Sequence, residues 1–278
     1  MPYIESHLTT TDGLSLRTQR WTPEGEPQAV VVLTHGHGEH SGRYVHVGQA
    51  LNGAGYAVYA YDLRGHGKSG GPRGHTPRYD ALLDDLQLVW DWAKKENAGK
   101  KLFLYGHSMG GQITLNFALR RKPQAAGVIV SAPWLILTYM PPAWKVTLAK
   151  VLSNILPTFT QKTGLDAAVK MAHDDAHLNS LPDLNLTHTF MSARMGFDVL
   201  AAADDALAHA PDFKYPLLIL HGDADGAMNP AGSKQFYERA SSTDKTLKLY
   251  PGLFHEVHNE TERAVVLSDV VEWLERHA

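Results

Sequence analysis

The chain has 278 residues, a formal net charge of −3, and 44% hydrophobic against 20% charged residues, a balance that fits one large α/β domain or two smaller ones. No cluster of Lys and Arg accompanies that charge, which excludes nucleic acid as the main partner, since phosphate binding needs concentrated cations. Cysteine is absent, which excludes a disulfide framework and a thiolate nucleophile, and no stretch approaches 18 unbroken apolar residues, so no membrane-spanning helix is expected.

Two alternating runs around Thr11-Asp12-Gly13 predict an antiparallel hairpin. Strands are then expected at 29–34, 56–61, 101–105, 126–131, 217–221 and 246–250, alternating with helices at 44–52, 79–96, 111–120 and 263–276. In the 79–96 segment, Leu82, Leu83, Leu86, Val89 and Trp90 recur at helical spacing. Such alternation predicts a mostly parallel sheet covered by helices on both faces. The rhythm breaks from Pro133 to about Ala210, where no convincing strand appears. A structureless loop of that length is foreign to a compact domain, so 133–210 is expected to be a helical cap subdomain, with 1–132 and 211–278 forming the core domain. Within the insert, Trp144, Leu148, Val151, Leu152 and Ile155 fall on one helical face. That face either packs on the body or roofs an acyl chain and touches a membrane surface.

The chemistry centres on Gly106-His107-Ser108-Met109-Gly110, which follows the apolar run 101–105 and precedes a helical pattern. A serine between two glycines at a strand-to-helix turn is the nucleophile elbow, where the tight backbone exposes the hydroxyl beside a helix N-terminus. The pattern alone is short; the strand before it and the helix after it carry the reading. A serine hydroxyl needs an imidazole to take its proton, and the imidazole needs a carboxylate on its other nitrogen. In the order Ser, acid, His, the strand at 217–221 runs into a loop offering Asp223 and Asp225, and the strand at 246–250 into a loop offering His255 and His258. Both loops leave C-terminal strand ends, where open parallel sheets place their ligands. Ser108 is expected as nucleophile, His255 as general base and acid, and Asp225 as its orienting carboxylate. Asp223 is the rival acid and His258 the rival base. The backbone N–H groups of Met109 and His37 are the expected oxyanion donors, His37 lying on the loop after the strand at 29–34.

Four strings together, HGHGEHSGRY (35–44), YDLRGHGKS (61–69), GHSMGG (106–111) and YPGLFHEVH (250–258), resemble the monoacylglycerol lipase and lysophospholipase group of α/β-hydrolases over nearly the whole chain. The resemblance implies an α/β-hydrolase fold with a helical cap between strands six and seven. It also implies a metal-free and cofactor-free serine esterase acting on single-chain lipids or similar small esters. Glu39, Arg43, His107 and His258 match residues near the polar head of the substrate in that group and are carried over as substrate-binding candidates. Two positions depart from the group's pattern, His37 where Ala is frequent and Leu178 where a cap tyrosine precedes Asn-Ser.

Competing readings come from the same loops. His35, His37 and His40 could together hold Zn²⁺ and an activated water, in the manner of a zinc-dependent hydrolase. Gly36-x-Gly38-x-x-Ser41 followed by Asp62 imitates a dinucleotide fingerprint without its third glycine, and Gly67-Lys68-Ser69 imitates a phosphate loop whose first glycine is replaced by Asp62. A catalytically silent binding module on the same fold is the non-enzymatic alternative, and a broad short-chain carboxylesterase of the same mechanism is the enzymatic one. The N-terminal segment lacks a basic stretch followed by an apolar one, so a cytoplasmic protein is expected. Activity should rise with pH through a group near the ordinary histidine value of about 6.5.

Overall fold

A computed structural model of the protein describes residues 3–163 and 169–278; residues 164–168, inside the expected cap, lie outside the described part. The chain opens with β1 (Ile4–Thr9) and β2 (Ser15–Trp21), antiparallel partners around the predicted turn. There follow β3 (Val30–Thr34), α1 (Val45–Gly53), β4 (Ala57–Tyr61), α2 (Tyr79–Glu96), β5 (Leu102–His107), α3 (Met109–Arg121) and β6 (Gly127–Ser131). After the insert come β9 (Leu217–Gly222), α7 (Pro230–Arg239), β10 (Lys245–Tyr250) and α8 (Arg263–His277). The eight-stranded sheet runs β1-β2-β4-β3-β5-β6-β9-β10. Only β1 with β2, and β2 with β4, pair antiparallel; the other neighbours are parallel. All five residues of β3, β4 and β6 are buried, as expected for parallel strands covered on both faces.

The pleat sends alternate side chains to opposite cores. Val30 and Val32 join Leu82, Leu86, Ile113 and Phe117 on the face covered by α2 and α3. Val31 and Leu33 join Phe103, Ile129, Val266 and Trp273 on the face covered by α1 and α8. Each such side chain, removed completely from water, contributes about 1.5–3 kcal/mol, so a one-residue slip of register would undo both cores at once.

Strands and helices begin and end within a residue or two of their expected positions. One helix went unanticipated: α7, which starts at Asn229-Pro230, with the Asn229 side chain accepting from the Ala231 N–H at 2.9 Å. Asn followed by Pro at the first helical position is a start signal, but the helix has few apolar residues.

The stretch between β6 and β9 contains α4 (Ala143–Ile155), α5 (Asp175–Ser180) and α6 (Ala193–Ala208). It also contains a short antiparallel pair, β7 (Thr160–Lys162) with β8 (Phe190–Ser192), against the expectation of a strand-free insert. Three residues per strand are too few to show a period of two. The apolar face of α4 does not pack on the body: Trp144 is 63% and Ile155 69% exposed, and Leu148 and Val151 are exposed too. By contrast Met195, Val199, Ala202 and Ala206 of α6 belong to the main core. Among the described residues no helix is long and apolar enough to cross a membrane.

Phe103 lies between the sheet and Trp273, ring centroids 6.0 Å apart. Phe103→Ala should lower unfolding free energy by about 3–5 kcal/mol, read as a lower denaturation midpoint in urea with an unchanged slope.

Candidate active site

Ser108 stands between β5 and α3 at φ 54° and ψ −121°, a sparsely populated conformation that costs roughly 1–3 kcal/mol. Its own main chain holds it there: Ser108 N–H donates to Ser131 O at 2.9 Å, and Ser108 O accepts from Gln112 and Trp134 N–H at 3.0 and 2.9 Å. Gly110 is required by close approach, because a Cβ there would lie 2.3 Å from the carbonyl oxygens of Thr34 and His35. Thus α3 can press against the end of β3, the strand that feeds the loop bearing His37.

Asp225 sits in the loop after β9, buried. Its Oδ2 accepts from His255 Nδ1 at 2.7 Å and from His221 Nε2 at 3.0 Å, and its Oδ1 from the N–H groups of Ala227 and Met228 at 2.7 and 3.0 Å. Burial opposes the charge, yet His255, His221 and the other donors outweigh it and hold the carboxyl far below the usual carboxylate range. Asp223, the rival acid, turns away and accepts from Gly252 N–H. Gly222 makes the pairing possible: a Cβ there would lie 2.2 Å from the carbonyl oxygens of Leu253 and Phe254, so the loop carrying His255 rests directly on the strand that leads to Asp225. Burial of His255 favours its neutral form, but the Asp225 carboxylate wins and raises its pKa above the ordinary value. The group expected near the ordinary histidine value is therefore shifted upward.

Ser108 and His255 line one cleft of about 500 Å³, together with Gly36, His37, Glu39, Arg43 and His107. Trp134, Met171, Phe190 and Met228 supply apolar wall, and Lys162, Thr187 and His188 close it from β7 and the segment leading into β8. Met109 is the first residue of α3, so its N–H lacks an intrahelical acceptor.

The four carried-over residues occupy different settings. Glu39 is buried; its Oε1 accepts from Gly36 N–H at 2.5 Å and Tyr44 OH at 2.6 Å. Burial lifts its pKa to about 7 despite Arg43 beside it. Arg43 bridges Glu39, at 3.2 Å, and Glu256, at 2.7 Å, so its donors are largely committed within the protein. His107 lines the cleft, its ring 4.8 Å from that of His255. His258 is completely enclosed, stacked on Tyr44 at 4.8 Å and edge-on to His107 at 4.7 Å, and neither of its ring nitrogens has a hydrogen-bond partner among the described residues. His258, carried over as a substrate-binding candidate, thus stands behind His107 and is not among the residues that line the cleft.

Glu256 and His221 were not singled out from the sequence. Their only signals were adjacency, Glu256 to His255 and His221 to the end of a predicted strand, and their roles depend on partners far away in the chain. The three loop histidines considered for zinc do not form a ligand set. His35 uses Nδ1 toward Gly36 O at 2.7 Å and Nε2 to accept from Leu63 N–H at 2.9 Å, and among the described residues no three His, Asp or Glu side chains converge as a metal site.

The family model described as serine aminopeptidase, S33, matches residues 25–262. An uncharacterised abhydrolase domain-containing protein of Dictyostelium discoideum is 36% identical over 97% of this chain, which spans 28% of that protein's length. A monoacylglycerol lipase of Mycolicibacterium smegmatis is 35% identical, with 98% of this chain and 97% of that protein covered. The crystal structure of a soluble variant of monoglyceride lipase from Saccharomyces cerevisiae, in complex with a substrate analogue, superposes with a TM-score of 0.89 at 28% identity, covering 100% of this chain and 96% of that one.

Burial drives the His35 and His46 pKa values down to about 4 and that of His37 to about 3. Unfolding returns each to about 6.5. Below that value the unfolded chain takes up protons that the folded chain refuses, so stability is lost as pH falls from about 6.5 toward about 4, by about 1.4 kcal/mol per pH unit for each such histidine. His255, with its raised pKa, works in the opposite sense. Urea midpoints measured from pH 8 to pH 5 should fall steeply on the acid side; a flat profile would contradict the neutral burial of these rings.

Proposed function

Because the chain belongs to the serine aminopeptidase S33 family and is a monoacylglycerol-lipase-like serine ester hydrolase, we propose that Ser108, His255 and Asp225 form its catalytic triad. Ser108 Oγ attacks the ester carbonyl carbon while His255 Nε2 takes its proton, and the carbonyl oxygen becomes an oxyanion held by the N–H groups of Met109 and His37. Collapse expels the alcohol with the proton from His255 and leaves an acyl-enzyme on Ser108. A water, deprotonated by His255, then releases the acid. Asp225 keeps the proton of His255 on Nδ1 and stabilises the imidazolium. The observation that carries this reading is the 2.7 Å bond between His255 Nδ1 and a fully buried, four-donor carboxylate, beside a serine held in a strained turn on the same cleft.

The substrate we propose is a single-chain lipid ester, with its acyl chain along Trp134, Met171, Phe190 and Met228 beneath a cap formed by 133–210. Glu39 and Arg43 shape the polar end of the cleft, Arg43 being already paired with Glu39 and Glu256, and His107 rather than His258 faces the substrate. The exposed apolar face of α4, with Tyr139, Met140, Leu156 and Phe159 also exposed near it, supports transient contact of the cap with a membrane surface.

Ser108→Ala should lower hydrolysis of a p-nitrophenyl ester by about 10⁴-fold or more. Since only neutral His255 accepts the serine proton and Asp225 raises its pKa, kcat/KM should rise with pH through a midpoint above about 6.5. Asp225→Asn should move that midpoint down and cost about 10⁴ in kcat. An acid-optimal profile would overturn the assignment.

Across monoacylglycerols and p-nitrophenyl esters of increasing length, medium and long acyl chains should outpace acetate. Faster turnover of short acetates would remove the lipid assignment and leave a short-chain carboxylesterase.

A further inference from the structure

His66 lies outside the triad, on the loop after β4, and is completely buried. Its Nδ1 is 3.0 Å from the carbonyl oxygen of Arg64. A carbonyl can only accept, so the proton of neutral His66 sits on Nδ1 and Nε2 carries a bare lone pair. That lone pair faces His37 Nδ1 at 3.4 Å, and the same logic places the His37 proton on Nδ1, directed at His66. His37 Nε2 is then the ring's remaining acceptor, and it is buried without a partner among the described residues. A relay from Arg64 O through His66 thus dictates the tautomer and orientation of His37. Burial lowers the pKa of both rings, so neither gains a second proton near neutral pH.

The neighbours of His37 are tied as well. Gly36 N–H donates to Glu39 Oε1 at 2.5 Å, and Gly38 O accepts from His188 N–H at 2.8 Å. The residue on each side is therefore held through a main-chain atom, and the residue between them is held through its ring by His66. We propose that His66 is a positioning residue for the oxyanion site, fixing the direction of the His37 N–H through the bond between the two imidazoles. The inference rests on reading that N–H as an oxyanion donor.

Three variants and one probe test it. His66→Asn keeps an amide N–H near Arg64 O but removes the acceptor for His37. His66→Gln places its side-chain oxygen where Nε2 stood. In a third, His66→Asn is combined with His37→Ala. The probe is an alkyl trifluoromethyl ketone, whose adduct with Ser108 carries an oxyanion. His66→Asn should lower kcat on p-nitrophenyl butyrate about tenfold and weaken the ketone by a similar factor, with KM little changed. His66→Gln should recover part of both. In the imidazole ¹⁵N spectrum, His66→Asn should move His37 from the Nδ1–H to the Nε2–H tautomer. Against a His37→Ala background, His66→Asn should have no further effect. An unchanged kcat, or an equal loss in both backgrounds, overturns the positioning role and leaves the oxyanion reading standing. A lower kcat with undiminished ketone affinity overturns the oxyanion reading itself, and the proposal with it.

Discussion

The carboxylate of Asp225 is a fully buried charge, and the remainder of the site is arranged around satisfying it. An isolated carboxylate in such a place would protonate, because removing an ion from water costs several kcal/mol. Four donors prevent this: two main-chain N–H groups of its own loop and two imidazoles. One of those imidazoles, His221, is in turn fixed by Ser233, its Nδ1 2.7 Å from the hydroxyl oxygen. The other is His255. A carboxylate so held cannot drift, and the ring bonded to it inherits that fixity.

The same constraint reaches into the fold. Asp225 follows β9 and His255 follows β10, and these strands pair in parallel register from Lys245 with Leu217 to Tyr250 with Gly222. Parallel pairing brings both C-terminal ends to one edge of the sheet, where β3 and β5 also deliver the loop bearing His37 and the turn bearing Ser108. The loops meet because four strands end together and because Gly110 and Gly222 let main chain touch main chain. Stability invested in the two cores is thereby converted into a fixed edge.

Around that edge the interior is rich in imidazoles. His35, His37, His66, His107 and His258 are each pushed toward the neutral form by burial, while His255 alone among this group is pulled the other way by its carboxylate. A neutral histidine is a small polar wedge with one donor and one acceptor, able to lock loops without bringing a further charge into the cleft. The arrangement separates one ring whose pKa is raised by its carboxylate from several that burial keeps neutral.

Strand and helix positions, the elbow and the order serine, acid, histidine were legible from the chain because they are local. Period two, period 3.6 and glycine spacing are printed in contiguous residues. The loop's fold, not its spacing, is what pairs Asp225 with His255 and turns Asp223 toward Gly252. The short pair β7 with β8 and helix α7 escaped because three residues carry no period and α7 has few apolar residues. The exposure of the α4 face, the enclosure of His258 behind His107, the engagement of Arg43 by Glu256 and the coupling of His66 to His37 were decided by tertiary structure alone. Each is a contact between residues remote in sequence or a matter of what covers a side chain, and neither leaves a trace in local spacing.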